Sequence, residues 1–213
     1  MPDISSKKLV LAGGGGHALS IADSLRAMGT WDEIVMTDRD IPSGSVVCGI
    51  KVAGGDDMLP ALFSDGFTDL FISVGSIKDT SVRRSIYEKA KAAGFSFPQI
   101  IDPSAVIAGD VAAAPGVFAG KRAVINTGSV IGRFAIINTG AVIEHECSIG
   151  DFAHISIGAV VCGGCSIGND VLIGANSTVI QGVRIGDNSI VGAGALVLAD
   201  VPADTTVIGV WKG

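Results

Sequence analysis

The sequence has few aromatic and few charged side chains, which make up 5% and 17% of its 213 residues. No apolar run approaches the roughly 18 residues that a membrane-spanning helix needs. The first residues, "MPDISSKK", lack the apolar core of a secretory signal peptide, so we expect a cytoplasmic protein. The formal net charge of -6 provides no basic surface for phosphate neutralisation, which argues against general nucleic-acid binding.

Small and β-branched residues are abundant instead, with 30 glycines and many valines, isoleucines and alanines. β-branched side chains favour strands, and glycines favour tight turns. The composition therefore predicts short packed strands joined by frequent turns.

A repeat of six residues runs from Ile101 to Val201. Stepping by six gives only Ile, Val or Ala at Ile101, Ile107, Ala113, Ala119, Ile125, Ile131, Ile137, Ile143, Ile149, Ile155, Val161, Ile167, Ile173, Val179, Ile185, Val191 and Val197. A small or medium side chain follows four residues after each of these positions. Neither an α-helix nor a hairpin sheet sustains a period of six, whereas a parallel β-helix repeats one short strand and one corner.

These repeats resemble those of the hexapeptide-repeat acyltransferases, which implies a left-handed β-helix with three flat sides and eighteen residues in each coil. Residues eighteen apart would then stack at about 4.8 Å. We expect this β-helix over residues 101–213, preceded by a small α/β domain over residues 1–100.

The cysteines fit the same repeat. Cys147 and Cys165 are eighteen residues apart and would fill the same inward position on neighbouring coils. The "CGGC" that starts at Cys162 also has the spacing of a redox or zinc pair, although it is a weak signal without a second pair. We interpret Cys147 and Cys165 as reduced thiols that pack as small apolar side chains.

The first hundred residues alternate between predicted strands and helices. The strands are "KKLVLAG", "EIVMTD" and "DLFISVG", and the helices are "ALSIADSLRAMG", a short "DMLPALFSDG" and "TSVRRSIYEKAKAAG". This order predicts a half-Rossmann-like α/β domain with a parallel sheet built from βαβ units.

The first predicted turn is "GGGGHA", which fits G-x-G-x-x-[GA] between a strand and a helix. Such glycines let a phosphate approach the backbone N–H groups at a helix start. Asp38 closes the second strand, where ribose or base often binds. The motif alone suggests NAD, but no second half-domain follows, so a sugar mononucleotide fits better; a turn without ligand is the remaining alternative.

The whole chain resembles the nucleotide-sugar acetyltransferases of the sialic-acid O-acetyltransferase type. The matching stretches are "GGGGHA" and "TD" in the first domain and "INTGAVIEHECSIGDFAHISIGA" in the second. Within that family the likeness is closest to the enzymes that N-acetylate the 4-amino group of a UDP-linked amino-dideoxy sugar in bacillosamine synthesis.

The resemblance implies a role for each matching residue. His145 would be the catalytic base, Glu146 would raise its basicity, and His154 would contact acetyl-CoA. The residues implied in binding the nucleotide sugar are Gly15, Gly16, His17, Thr37, Asp38, Gly75, Arg83 and Asn138. Gly75 and Arg83 lie in "SVGSIKDTSVRRSIYEKA", which departs from the family pattern by a short insertion. The family pattern also implies a homotrimer with active sites between neighbouring β-helices.

The repeat adds candidates for the acetyl-CoA site. Gly163 follows His145 by eighteen residues, so its N–H would lie one coil above the imidazole and could hold the thioester oxygen. Ala175 and Ala193 stack in one column and offer a channel of small residues for the pantetheine arm. Glu144 is an alternative partner for His145, because adjacent strand residues normally face opposite ways.

These residues predict an acetyl-CoA-dependent sugar N-acetyltransferase without a metal, in which the amine attacks the thioester directly and His145 takes the proton. The alternatives are O-acetylation of a sialic-acid-like or other sugar hydroxyl, and a β-helix that binds sugar nucleotides without catalysis. A zinc carbonic anhydrase of the γ type is disfavoured, because the repeat holds two histidines and catalytic zinc needs three protein ligands.

Overall fold

The computed structural model describes residues 6–75 and 79–213. Tertiary contacts divide the chain into two compact units. The first consists of the residues up to 75 together with 80–100, and the second consists of 101–213, to which Asp79 also belongs. Among the described residues, no helix has both the length and the apolar character needed to cross a membrane.

The first unit is an α/β domain built on one sheet, sheet A. Its elements are β1 (Lys8–Ala12), α1 (Gly16–Met28), β2 (Glu33–Thr37), β3 (Val46–Val47), β4 (Ile50–Gly54), a 3-10 helix (Asp56–Met58), α2 (Leu59–Ser64), β5 (Asp69–Ile72) and α3 (Ser81–Ala93). The strand order is β3-β4-β2-β1-β5, and all neighbours are parallel except the antiparallel pair β3 and β4. The predicted parallel βαβ sheet is therefore confirmed.

Glycines end both long helices of this unit. α1 stops before Gly29 and α3 stops before Gly94, and both glycines adopt the left-handed conformation that closes a helix. α1 begins at Gly16, two residues earlier than the sequence pattern predicts, so Gly16 and His17 belong to its first turn.

The β3–β4 hairpin is absent from the sequence prediction. Its two-residue turn consists of Cys48 and Gly49, with φ values of 48° and 76°. Positive φ at both positions is the requirement of a type I′ hairpin turn, which Asn-Gly usually meets. Because Cys48 stands in place of Asn or Asp, the turn signal is missing from the sequence.

The second unit is a left-handed parallel β-helix, as predicted. Its strands are two residues long: β6 (Ile100–Ile101), β7 (Val106–Ile107), β8 (Ala112–Ala113), β9 (Phe118–Ala119), β10 (Val124–Ile125), β11 (Val130–Ile131), β12 (Ile136–Ile137), β13 (Val142–Ile143), β14 (Ser148–Ile149), β15 (His154–Ile155), β16 (Val160–Val161), β17 (Ser166–Ile167), β18 (Leu172–Ile173), β19 (Thr178–Val179), β20 (Arg184–Ile185), β21 (Ile190–Val191), β22 (Leu196–Val197), β23 (Thr206–Val207) and β24 (Val210–Trp211). They form three sheets, each joining every third strand. Sheet B contains β6 and β9, sheet C contains β7 and β10, and sheet D contains β8 and β11.

The register of the β-helix is eighteen residues. Val142 pairs with Val160, and Ile143 pairs with Val161, and both steps repeat along the sheets. The second residue of each strand points inward: Ile143 and Val161 are fully buried. Burying such a side chain contributes about 1.5–3 kcal/mol, so a column of them supplies much of the stability of the unit.

The last coil departs from the eighteen-residue register. Ile190 pairs with Thr206 after sixteen residues, and Leu196 pairs with Val210 after fourteen. Sheet D ends at β20, which Val201 extends only by a single bridge to Ile185. The repeat therefore governs the coils up to Leu196 and not the C-terminal one.

The buried thiols lead to a labelling prediction. Cys147 and Cys165 are 1% exposed and their thiols donate to the carbonyl oxygens of Cys162 and Ile180, whereas Cys48 is exposed. Hydrogen bonding with Cys147 and burial raise the pKa of Cys165, so its thiol stays protonated at neutral pH. We expect iodoacetamide to alkylate Cys48 in the native protein and Cys165 only after unfolding, as followed by peptide mass spectrometry. Native labelling of Cys165 at the rate of Cys48 would contradict this packing.

Candidate active site

The four glycines of the glycine-rich turn in the first unit form two pairs: Gly13 and Gly14 are closely packed, whereas Gly15 and Gly16 are not. A Cβ on Gly13 would lie 2.6 Å from Val74, and one on Gly14 would clash with Ile41 and lie 3.3 Å from Asp38 Oδ2, so both positions need glycine for packing. A Cβ on Gly15 or Gly16 would meet nothing within 4 Å.

The N–H groups of this turn divide in the same way. Gly13 donates to the Thr37 carbonyl oxygen at 2.7 Å, and Gly14 donates to Asp38 Oδ2 at 2.6 Å. Within the described residues the N–H groups of Gly15 and Gly16 donate no hydrogen bond. Two N–H groups at the start of α1 thus have no acceptor among the described residues, which is the arrangement that binds an anion.

Asp38 occupies the predicted position at the end of β2, but its carboxylate is already engaged. Besides Gly14, it accepts hydrogen bonds from the N–H groups of Asp40 at 2.8 Å and Ile41 at 3.2 Å through Oδ1. These contacts fix the glycine-rich turn against the 38–41 turn. Thr37 beside it is fully buried, and its Oγ1 has no hydrogen-bond partner among the described residues.

His17 and Gly75 are brought together at the same edge of sheet A. A Cβ on Gly75 would lie 3.5 Å from the His17 Cβ, at ordinary contact distance. Arg83 in α3 is 1% exposed. The segment "SVGSIKDTSVRRSIYEKA", for which the sequence suggests a short insertion, includes residues 76–78, which lie outside the described residues.

His145 stands on a corner between sheets C and D, which we call the His145 corner (residues 109, 127, 145 and 163). Its side chain is 55% exposed, and its Nδ1 lies 3.2 Å from Glu146 Oε2. A carboxylate at Nδ1 orients the ring and stabilises the imidazolium that forms when Nε2 accepts a proton. Nε2 is the nitrogen left for a substrate.

Glu146, and not Glu144, contacts the imidazole. Glu146 has a φ of 57°, so the chain turns at the corner and adjacent side chains need not point to opposite faces. Glu144 accepts hydrogen bonds from Asn126 Nδ2 at 3.1 Å and from the His145 N–H at 3.3 Å. Glu144 thus holds the backbone of His145 while Glu146 holds its ring.

Gly163 lies against the His145 ring, as the eighteen-residue step predicts. A Cβ on Gly163 would lie 2.6 Å from both Nε2 and Cε1 of the imidazole. Its N–H donates no hydrogen bond within the described residues. A backbone donor and the ring of a base therefore lie beside each other on adjacent coils of this corner, which suits a reaction that develops negative charge on an oxygen.

Two supporting contacts on this corner were not identified from the sequence. Asn126 lies eighteen residues before Glu144, a spacing that could have revealed it. Asp110 accepts hydrogen bonds from the Thr127 hydroxyl at 2.7 Å and the Gly128 N–H at 3.0 Å, which lower the pKa of its carboxyl. Thr127 in turn accepts the Glu146 N–H through its carbonyl oxygen, so this chain of contacts ends at the residue that holds the imidazole.

His154, Asn138, Ala175 and Ala193 lie elsewhere on the β-helix. The two alanines stack on adjacent coils at the corner between sheets B and C, which we call the Ala175 corner (residues 121, 139, 157, 175 and 193). Asn138 begins this corner, and its Nδ2 lies 3.1 Å from Nε2 of His154 in β15. Sheet C separates the two corners, so one chain does not bring these residues to His145.

Models of known protein families match both units of the chain. Residues 8–90 match the PglD N-terminal domain. Residues 146–181 match the bacterial transferase hexapeptide of six repeats, and residues 164–199 match the hexapeptide repeat of succinyl-transferase. A comparison with curated protein sequences gave no significant match.

Solved structures match the chain over nearly its whole length. A histidine-to-asparagine mutant of perosamine N-acetyltransferase from Caulobacter crescentus, in complex with CoA and GDP-perosamine, is 38% identical with a TM-score of 0.90, covering 95% of this chain and 93% of that one. PerB from the same organism, with the same ligands, is 39% identical with a TM-score of 0.88, covering 95% and 94%. The acetyltransferase domain of PglB from Neisseria gonorrhoeae, in complex with acetyl coenzyme A, is 35% identical with a TM-score of 0.89, covering 96% and 97%.

The fold and these matches define a hexapeptide-repeat acyltransferase that uses acetyl-CoA. Within that class the chain belongs to the nucleotide-sugar N-acetyltransferases, because the identity exceeds a third over both units in the same order. The family resemblance drawn from the sequence is thereby confirmed.

Proposed function

We propose that this protein transfers the acetyl group of acetyl-CoA to the amino group of a nucleotide-linked amino-dideoxy sugar. The observation that carries the proposal is the His145 ring, held by Glu146 at 3.2 Å and lying against the backbone of Gly163. The full-length similarity to an enzyme crystallised with CoA and GDP-perosamine supports an amino sugar as acceptor.

In the proposed reaction the substrate amine attacks the thioester carbonyl carbon. His145 takes a proton from the amine nitrogen, and the Gly163 N–H stabilises the negative oxygen of the tetrahedral intermediate. The carbon–sulfur bond then breaks, the new amide forms, and the proton passes to the sulfur, so that CoA leaves as a thiol. His154, Ala175 and Ala193 are proposed to bind the acetyl-CoA.

The nucleotide sugar is proposed to bind with its phosphates at the free N–H groups of Gly15 and Gly16. His17, Gly75 and Arg83 would surround it, and Thr37 would lie near its base. The prediction from the sequence is UDP, on the resemblance of "VIEHE"; GDP is the competing candidate, because the perosamine enzymes hold a GDP sugar.

The test is acetylation of a panel of nucleotide sugars. We expect a mass-spectrometric product from acetyl-CoA with a 4-amino-dideoxy sugar linked to one of UDP, GDP or dTDP, and none with the matching 4-hydroxy sugars. Product from the hydroxy sugars alone would overturn N-acetylation in favour of O-acetylation. Nucleotide-sugar binding without any transfer would favour the non-catalytic alternative.

The glycine-rich turn carries a prediction that separates binding from stability. Because a Cβ on Gly16 meets nothing within 4 Å, Gly16→Ala should leave the melting temperature unchanged or higher. A methyl group there would obstruct a phosphate, so we expect KM for the nucleotide sugar to rise about tenfold while KM for acetyl-CoA stays constant. Gly14→Ala is the contrasting variant, since it should lower the melting temperature through its clash with Ile41. Equal rises in both KM values for Gly16→Ala would contradict phosphate binding at this turn.

We also propose that the active site forms between subunits of a homotrimer. The outward residues of sheet C are apolar except for Thr178, namely Val106, Val124, Val142, Val160, Leu196 and Val210. Sheet D presents Ser148, Ser166 and Arg184 beside Ala112 and Val130. Sheet C is therefore more apolar than sheet D, and the outward Ile100, Phe118 and Ile136 of sheet B are already buried within the chain. The His145 corner and the Ala175 corner flank sheet C on either side. Packing of sheet C around a threefold axis would bring the His145 corner of one subunit to the Ala175 corner of the next.

This assembly can be tested by light scattering after size-exclusion chromatography. Val160→Asp would place a charge on sheet C, so we expect it to yield monomers without acetyl transfer. Ser166→Asp makes the same change on sheet D and should leave the trimer intact. A monomeric, active wild-type protein would overturn the intersubunit site.

A further inference from the structure

Asn138 has a fixed amide orientation. Its Oδ1 accepts the N–H of Thr139 at 2.8 Å, and a backbone N–H can donate to an amide oxygen but not to an amide nitrogen. The NH₂ group must therefore be the end that faces His154, at 3.1 Å from Nε2.

This contact determines where the proton of His154 resides. An NH₂ group is only a donor, so Nε2 must accept with its lone pair, and a neutral imidazole then carries its proton on Nδ1. Protonating Nε2 would set two donors against each other at 3.1 Å. His154 is 8% exposed and pairs with Ile136 on one neighbouring strand and Leu172 on the other, so a charged imidazolium would also lose hydration.

The two histidines of the β-helix thus have opposite environments. His145 is 55% exposed and keeps Nε2 for a substrate, with a carboxylate at Nδ1. His154 is buried, and an amide occupies its Nε2. The first arrangement suits a proton acceptor, and the second suits a neutral residue that donates.

We propose that Asn138 is a positioning residue that holds His154 as the neutral Nδ1–H tautomer, which makes His154 a hydrogen-bond donor in the acetyl-CoA site and leaves proton transfer to His145. The CoA part of this inference rests on the proposed function, which places His154 in the acetyl-CoA site; the tautomer does not. Asn138 then acts through His154 and not through the sugar, in contrast to the role that the family resemblance implies.

The tautomer can be measured directly on the wild-type protein by long-range ¹H–¹⁵N correlation spectra of the histidine rings. The sequence contains three histidines, and a His154→Gln variant assigns the relevant signals. We expect His154 to show a protonated Nδ1 and an unprotonated Nε2. A protonated Nε2 in the wild-type protein would overturn the proposal without any variant having to fold.

Asn138→Asp tests whether the Asn138 amide determines the tautomer of His154, because a carboxylate accepts hydrogen bonds and cannot donate them. We expect the His154 proton to move to Nε2, and KM for acetyl-CoA to rise at least fivefold with KM for the nucleotide sugar unchanged. Asn126→Asp is the matched control for the spectra, since Asn126 makes the same contact with the Thr127 N–H at 2.8 Å but faces Glu144. It should leave the His154 signals where they are.

The remaining outcomes are informative in different ways. An unchanged His154 tautomer in Asn138→Asp would overturn the role of Asn138. A rise in KM for the nucleotide sugar alone would overturn its action through His154 and restore the sugar contact. If no nucleotide sugar is acetylated by the wild-type protein, the proposed function fails, while the ring spectra still decide the tautomer.

Discussion

His145→Ala is expected to lower kcat by about 10²–10⁴-fold, the usual contribution of a positioned general base. The side chain is 55% exposed and its ring contacts Glu146 and Gly163, so its removal leaves no buried cavity. The free energy of unfolding should therefore change by no more than about 0.5 kcal/mol. The measurement is steady-state turnover with the acetylated sugar quantified by mass spectrometry, beside thermal unfolding of the same preparation.

The affinity for CoA distinguishes the loss of a catalytic group from a distorted active site. We expect His145→Ala to retain the wild-type affinity for CoA in calorimetry, because the residues proposed to bind CoA lie in β15 and on the Ala175 corner, away from His145. Lost turnover together with lost CoA affinity would point to distortion of the site. Unchanged turnover would remove His145 from the mechanism.

Gly163→Ala should reduce kcat by about 10²-fold, because a displacement of a catalytic group by about 1 Å can cost that much. The added methyl group would lie 2.6 Å from the His145 Nε2, so the imidazole must move. Gly163 has no positive φ, and the neighbour that must yield is an exposed side chain. The fold should therefore accept the change with a melting temperature within a few degrees of wild type.

The matched control is Gly109→Ala. Gly109 lies on the His145 corner three coils earlier, also without a positive φ, and a Cβ there meets nothing within 4 Å. We expect Gly109→Ala to keep wild-type turnover. If both variants lost activity equally, a general effect of alanine on this corner would replace the displacement of His145 as the explanation.

The six-residue period accounts for most of the second unit and for part of the site. Its constant eighteen-residue step correctly placed Gly163 on His145 and Ala175 below Ala193. The family resemblance named Glu146 as the partner of His145, but the repeat alone could not choose between Glu144 and Glu146, because the choice depends on the left-handed φ of Glu146 at the corner. A strand rule that assigns neighbours to opposite faces does not apply at that position.

Contacts between residues that are not eighteen apart could not be predicted from the repeat either. Asn138 and His154 are sixteen residues apart, and they meet because a corner side chain leans across the strand of the next coil. In the first unit the Asp38 carboxylate accepts hydrogen bonds from the N–H groups of Gly14, Asp40 and Ile41. The ribose-binding motif does not predict these backbone contacts. Side-chain direction, not residue type, decided both cases.

The shortened last coil changes which backbone groups a further coil could pair with. An open stack of parallel strands is a template to which further strands can add, and solenoid proteins commonly have atypical terminal repeats that act as caps. Here sheets B and C contain seven strands and sheet D five, and the last rungs are spaced sixteen and fourteen residues from those beneath them. A coil added on the eighteen-residue step would therefore find the backbone groups of these last rungs out of register with its own.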